Sequence, residues 1–238
     1  MMTFNHGLSG YVVARVAEPL AVRYSPIPAG TLALCMFLGA MVPDLDIISR
    51  LGGYHAYFGQ SWYSHRQFTH SILGTGVIGL LLGLLTHRLL GRNAPGGRWA
   101  HILWLGGAFW VGGMIHIFGD LFTPGWKMPV FWPMDVRYGG FRKIGWFSPY
   151  LLWLFVGAIL LSWGLRKAGG RIAALRPWSP TLIWLINALA VYRWVHFIQI
   201  NTYNSWEQWL DYNRALLPEF MVTPITDLVR VVWSMFTR

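Results

Sequence analysis

Five separate stretches of this chain each run for about the 20 apolar residues that the hydrocarbon core of a bilayer requires, and this limits the fold more than any other feature. They lie at residues 30–48, 68–90, 101–122, 148–165 and 181–200. Glycine recurs inside them (Gly74, Gly76, Gly79, Gly83, then Gly106, Gly107, Gly112, Gly113), which suits close helix packing in lipid. Charge is sparse: 12% of residues are charged and 55% are hydrophobic, against roughly 25% charged in a soluble domain. So few charges cannot solvate a globule of 238 residues. Irregular backbone and open sheet edges are excluded from lipid, so the spans are helices. The expected fold is all-α: a polytopic transmembrane helical bundle of about five spans, multi-pass, forming one integral membrane domain over 1–238.

Two weaker segments flank these spans. Residues 5–23 are interrupted by Arg15 and Glu18 and end at Pro26 and Pro28, which predicts an amphipathic or partly buried helix. Residues 220–236 contain Asp227 and Arg230 and predict a second amphipathic helix at the interface. The 15 Trp suit the headgroup belts. The formal charge of +10 is dispersed through short connectors and forms no stripe, so it indicates topology and contacts with anionic lipid, and no nucleic acid partner is expected. Cys35 is the single cysteine, so a transition-metal site in this chain must be built from His and carboxylates. The N-terminus shows no pattern of a removable signal peptide.

The connectors differ in kind. Residues 86–99 and 166–180 are basic and carry no acidic residue, whereas 49–67 and 123–147 are longer, rich in Gly, Pro and aromatics, and contain His55, His65 and Asp135. With five crossings the two basic connectors share one side, which the positive-inside tendency places in the cytoplasm. The complex connectors then lie outside it.

Three short motifs stand at the ends of the first three spans. Pro43-Asp44-Leu45-Asp46 closes the first, His65-Arg66 with Thr69-His70-Ser71 opens the second, and His116 through Asp120 closes the third. Successive spans run antiparallel, so all three motifs meet at one membrane face. His116 and Asp120 are four apart and share one side of a helix, placed to hold one metal ion or to orient one another. Pro43 breaks the helix where two carboxylates are needed. His65 and His70 suit a loop leading into a helix, Arg66 suits an anionic substrate group, and Thr69 suits a helix cap. Asp44, Asp46 and Asp120 are three of only nine acidic residues, and ionisable groups near hydrocarbon are expensive and usually functional. Lone histidines such as His87, His101, His196 and His55 read as interfacial or loop residues.

These motifs resemble the membrane-bound metal-dependent hydrolases of the YdjM type, described as LexA-regulated inner-membrane proteins. The resemblance rests on His6, Pro43-Asp44-Leu45-Asp46, His65-Arg66 through Thr69-His70-Ser71, His116 through Asp120 with Thr123-Pro124-Gly125, and Pro129 through Pro133. It covers about the first 135 residues, leaving 148–238 as further spans and tail. That family is distantly similar to zinc phospholipase C and related zinc-dependent single-strand nucleases. The resemblance implies metal ligands at His6, Asp44, His65, His70, His116 and Asp120, with Asp46 as a second carboxylate or base. It also implies a location in the inner (plasma) membrane.

The expected function is metal-dependent hydrolysis of a phosphoester, on a lipid or lipid-linked substrate, with zinc as the first choice of divalent metal and Mn or Fe also compatible with His and Asp ligands. In that scheme Asp46 accepts a proton and Arg66 stabilises phosphoryl oxygens. Two alternatives come from other classes. One is metal or proton transport, against which the gathering of candidates at one end of the spans counts. The other is a structural protein whose metal only holds helices together.

Overall fold

The computed structural model describes residues 3–52, 63–90, 97–123, 127–134, 136–139 and 148–200. The expected helix at 220–236, His55, Asp135 and Pro124-Gly125 lie outside them. Seven α-helices and no strand occur among the described residues: α1 Thr3–Val16, α2 Glu18–Tyr24, α3 Ala29–Gly39, α4 Ile72–Leu90, α5 Arg98–Leu121, α6 Pro149–Arg171 and α7 Ser179–Ile200. Five segments are long and apolar enough to cross a membrane: Ala29–Ile47, Ile72–Leu89, Arg98–Leu121, Tyr150–Arg171 and Ser179–Ile198.

The first of these is not one helix. α3 stops at Gly39, and a 3-10 segment, Val42–Gly52, carries Asp44 and Asp46 on irregular backbone, as Pro43 predicts. The second expected span also starts later than its hydrophobicity suggests. Phe68–His70 is a 3-10 turn, and α4 begins at Ile72. Its N-cap is Ser71, whose Oγ accepts from the Gly74 N–H at 2.9 Å, and not Thr69, which is engaged elsewhere. α6 continues six residues past the expected limit, to Arg171, and starts behind Ser148, whose Oγ accepts from the Leu151 N–H.

The N-terminal segment splits in two at Pro19, which stands at the first turn of α2 and cannot donate to a continuing helix. α2 buries no residue and lies on the outside of the bundle. α1 is its opposite, touching α3, α5, α6 and α7. Its Leu8 and Val12 meet Leu151 and Phe155 of α6 and Trp194 and Phe197 of α7 in one apolar cluster. This placement brings His6 into the bundle.

Backbones approach most closely where glycine removes a side chain. A Cβ on Gly39 of α3 would lie 2.2 Å from the Phe109 carbonyl oxygen of α5, and one on Gly112 of α5 would lie 2.3 Å from the Met36 carbonyl oxygen of α3. The two helices therefore cross in direct backbone contact. Gly112 precedes His116 by one turn and Gly39 precedes Asp44 by five residues, so the crossing sits just beneath both motifs.

Gly112→Ala is expected to destabilise the protein by about 1–3 kcal/mol, because the contact is with rigid backbone. Gly107→Ala, at a position with nothing within 4 Å, is expected to stay within about 0.5 kcal/mol. Thermal unfolding of both variants in one detergent checks this, and equal effects would contradict the crossing.

Candidate metal centre

The face where α3 and α5 end and α4 begins gathers every site residue expected from sequence, but in two shells. Four ligand atoms form the inner one: an Asp44 oxygen, His70 Nε2, His116 Nε2 and an Asp120 oxygen, all within 4.8 Å of one another. His116 Nε2 lies 3.2 Å from His70 Nε2, 3.4 Å from Asp44 Oδ1 and 3.7 Å from Asp120 Oδ2. His70 Nε2 lies 3.7 Å from both Asp44 Oδ1 and Asp120 Oδ2. Corners of a tetrahedron roughly 2.0–2.1 Å from its centre are roughly 3.3–3.4 Å apart, so the spacing fits a Zn-sized ion with modest adjustment.

The hydrogen bonds behind the rings settle which nitrogens face inward. His116 Nδ1 donates to the Ala40 carbonyl at 2.8 Å, an acceptor left free because α3 ends there. His70 Nδ1 lies 3.2 Å from Asp46 Oδ2 and 3.1 Å from Thr69 Oγ1, and the Thr69 hydroxyl itself donates to Asp46 at 2.6 Å. Each Nδ1 is thus turned to an outer acceptor, which leaves Nε2 as the ring atom that faces the other ligands. The two Nε2 atoms, 3.2 Å apart, share a proton when no ion is bound, and a cation that displaces it would meet two imidazole lone pairs and two carboxylates. This backing by a carbonyl and a carboxylate is the arrangement that orients metal-binding histidines.

Charge points the same way. Among the described residues, Asp44, Asp46 and Asp120 face one guanidinium, that of Arg66, whose Nη2 pairs with Asp120 Oδ2 at 3.1 Å. Once a cation has displaced the proton that His70 otherwise holds, these groups carry two negative charges, which a single divalent cation balances. His70, His116 and His6 are fully buried, Asp120 is 2% exposed, and Asp44 at 16% is the open side. Buried charge left unbalanced is costly. The residues present thus fit a divalent ion in number, donor type, spacing and charge.

The remaining candidates stand one step out. His6 reaches the centre through Asp120, its Nε2 3.0 Å from Oδ1, and its ring stacks on His116 with centroids 3.8 Å apart. Its Nδ1 is buried without a hydrogen-bond partner among the described residues. His65 donates from Nδ1 to Asp46 Oδ1 at 2.7 Å, and Asp46, His65 and His70 form a second, smaller group able to hold an ion. Asp46 also accepts from the Arg66 N–H at 3.2 Å. With four donors on its oxygens, Asp46 orients His70 and is poorly placed as a free base. Arg66 is buried at φ +60, a conformation uncommon for a side chain of this size, and this lets its backbone reach Asp46 while its guanidinium reaches Asp120. Its charge is directed to the centre's own carboxylate.

Sequence reasoning missed Thr3, whose hydroxyl donates to Asp44 Oδ2 at 2.6 Å, and the Ala40 carbonyl. A backbone acceptor leaves no mark in residue identity. It also missed that His87 and His101, at the opposite end of the bundle, bring their Nδ1 atoms within 3.2 Å of each other.

The sequence model of the family described as YdjM inner membrane protein matches residues 1–203. The chain belongs to that family. The match runs past the motif-bearing first 135 residues and through α6 and α7. Together with five apolar helices it makes this a multi-pass inner membrane protein of the YdjM family. No curated protein and no solved structure matches the chain.

His70 lies outside the spans, and its titration supplies a test. Burial opposes its protonation, but hydrogen bonds to Asp44 and Asp46 and the charges of Asp46 and Asp120 outweigh this, and its pKa is pushed up to about 9. A folded value above the ordinary 6.5 means stability fully present below about pH 6.5 and lost as pH rises through about 9. A cation competes with that proton, so its binding strengthens over the same window. Metal-free protein is therefore expected to lose melting temperature between pH 6.5 and 9 while the increment from added Zn²⁺ grows. An increment that shrinks with rising pH would contradict this.

Proposed function

We propose that this YdjM-family member is a metal-dependent hydrolase of phosphoester bonds, acting on a lipid or lipid-linked substrate at the membrane face that carries the centre. The observation that carries the reading is the convergence of four ligand atoms, two imidazole nitrogens and two carboxylate oxygens, in a site whose most exposed side is Asp44. Asp44, His70, His116 and Asp120 are the residues to hold the ion. A divalent cation there supplies Lewis acidity toward a phosphoryl oxygen and brings the ionisation of water down toward neutral pH.

The chain's own residues divide the other tasks. Ala40 and Asp46 hold the two imidazoles in the tautomer that presents Nε2. Arg66 and His6 hold Asp120, one on each oxygen. Of the three carboxylates Asp44 is the most exposed, so the Asp44 oxygen not on the ion would accept the proton that water gives up as it adds to phosphorus, and return it to the alcohol oxygen as the P–O bond breaks.

Lipid as substrate is favoured by a groove of about 970 Å³ between α4 and α5, walled by Leu73, Val77, Leu80, Leu103 and Trp110 and capped by Phe131 through Met134. It begins at Ile72, two residues from His70, and its walls are apolar. A chain lying there brings its head toward the centre. Burial of three of the four inner ligands favours a second reading, a purely structural ion, since closed sites with four protein ligands are commonly structural.

Phosphodiesterase assays on metal-loaded protein, with a phospholipid and with a small soluble diester, separate these readings. Asp120→Ala and His70→Ala are expected to lower both activities about 100-fold or more, and Asp46→Asn about 10–100-fold. Gly107→Phe, which enters the groove from a position with nothing within 4 Å, is expected to lower lipid turnover alone. Turnover undiminished in Asp120→Ala and His70→Ala would overturn the site, and turnover of neither substrate by wild type would favour the structural ion.

A further inference from the structure

A second cavity, of about 400 Å³, lies between α1 and α6 and is built differently from the groove. Arg15 and Arg166 line it, together with Ser162 and Tyr11. Arg15 is only 5% exposed. One of its terminal nitrogens pairs with Glu18 at 3.0 Å, its guanidinium lies over the Tyr11 ring, and its Nε is buried with no hydrogen-bond partner among the described residues. A buried guanidinium donor left unmade costs about 1–3 kcal/mol or more, so this wall is incomplete without an acceptor. Arg166 adds a second positive charge from an exposed position. Glu18 balances one of the two, which leaves one positive charge facing the cavity. A phosphodiester carries one negative charge and the acceptor oxygens that guanidinium groups match.

The other walls, Ile159, Leu160 and Trp163, are apolar, and Leu160 and Trp163 are more than half exposed on the outside of the bundle. Position agrees with chemistry. At 1.5 Å per residue, Arg166 lies roughly 25 Å along α6 from its start, close to the hydrocarbon thickness and so at headgroup depth in the opposite leaflet. α6 starts at the face of the metal centre, where Asn5, next to His6, donates to the Ser148 carbonyl. The cavity is therefore a separate site at the far end of the bundle.

We propose that this cavity binds the phosphate of an anionic phospholipid, with Arg15 and Arg166 on the phosphate and an acyl chain along Ile159, Leu160 and Trp163. Free phosphate shares the anionic chemistry but gains nothing from the apolar walls.

The test uses full-length protein, delipidated in neutral detergent, and its melting temperature with added phosphatidylglycerol, phosphatidylcholine or inorganic phosphate. Phosphatidylglycerol is expected to raise it by about 3 °C or more, and the other two by much less. Arg166→Gln is expected to remove most of that increment without changing the lipid-free melting temperature, and Arg171→Gln, an exposed cation at the end of the same helix, to retain it. Arg15→Gln is expected to behave as Arg166→Gln, and if it fails to fold, Arg166→Gln alone decides. An equal shift with phosphatidylcholine or with inorganic phosphate, no shift with phosphatidylglycerol, or a shift that survives Arg166→Gln would each overturn the proposal.

Discussion

Direct backbone contact between α3 and α5 is the constraint on which the rest of the centre depends. Lipid offers helices no hydrophobic drive to associate, so close van der Waals approach must supply it, and only residues without a side chain allow the approach seen at Gly39 and Gly112. The same logic extends to α1, where a Cβ on Gly10 would lie 2.6 Å from the Met36 carbonyl, and to Gly113, which receives Thr75 of α4. Each of these contacts lies within about a turn of a motif residue: Gly10 of His6, Gly113 of His116, Thr75 of His70. Packing and chemistry are therefore one arrangement, with the small-residue seams setting the distance at which four ligand atoms meet.

The second consequence concerns charge. Three carboxylates drawn into a poorly solvated corner repel each other, and the fold answers with one arginine, a set of hydroxyl and backbone donors, and imidazoles turned to expose lone pairs. Among the described residues His65, the Arg66 N–H, Thr69 and His70 all donate to Asp46, which makes it a fixed support for His70. Asp44 differs because it sits on the open side, with the Thr3 hydroxyl donating to its Oδ2. A site with one partly exposed edge and three buried ones is suited to admitting a ligand from one direction.

Much of this was legible in the sequence. Five apolar stretches fixed the number of spans, the antiparallel rule brought the three motifs to one face, the four-residue spacing put His116 and Asp120 on one side of α5, and Pro43 marked the break that frees Asp44 and Asp46. The division into inner and outer shells was not legible, because it depends on sub-ångström placement across helices distant in sequence. His6 and His65 have the same chemistry as His70 and His116 but sit behind carboxylates. Arg66 looked free for a substrate because its partner, Asp120, is 54 positions away. The burial of α1 was obscured by Arg15 and Glu18, which pair with each other and so remove the charge that argued for an interfacial helix.

The central claim is that Asp44, His70, His116 and Asp120 together hold a divalent ion. Elemental analysis of protein purified without chelators, wild type beside His116→Ala, tests it most directly. The account predicts a transition metal at close to stoichiometric level in wild type, Zn first among the candidates, and its loss from His116→Ala. Wild-type protein without metal that also fails to take up Zn, Mn or Fe on dialysis, or equal metal in both proteins, would contradict it.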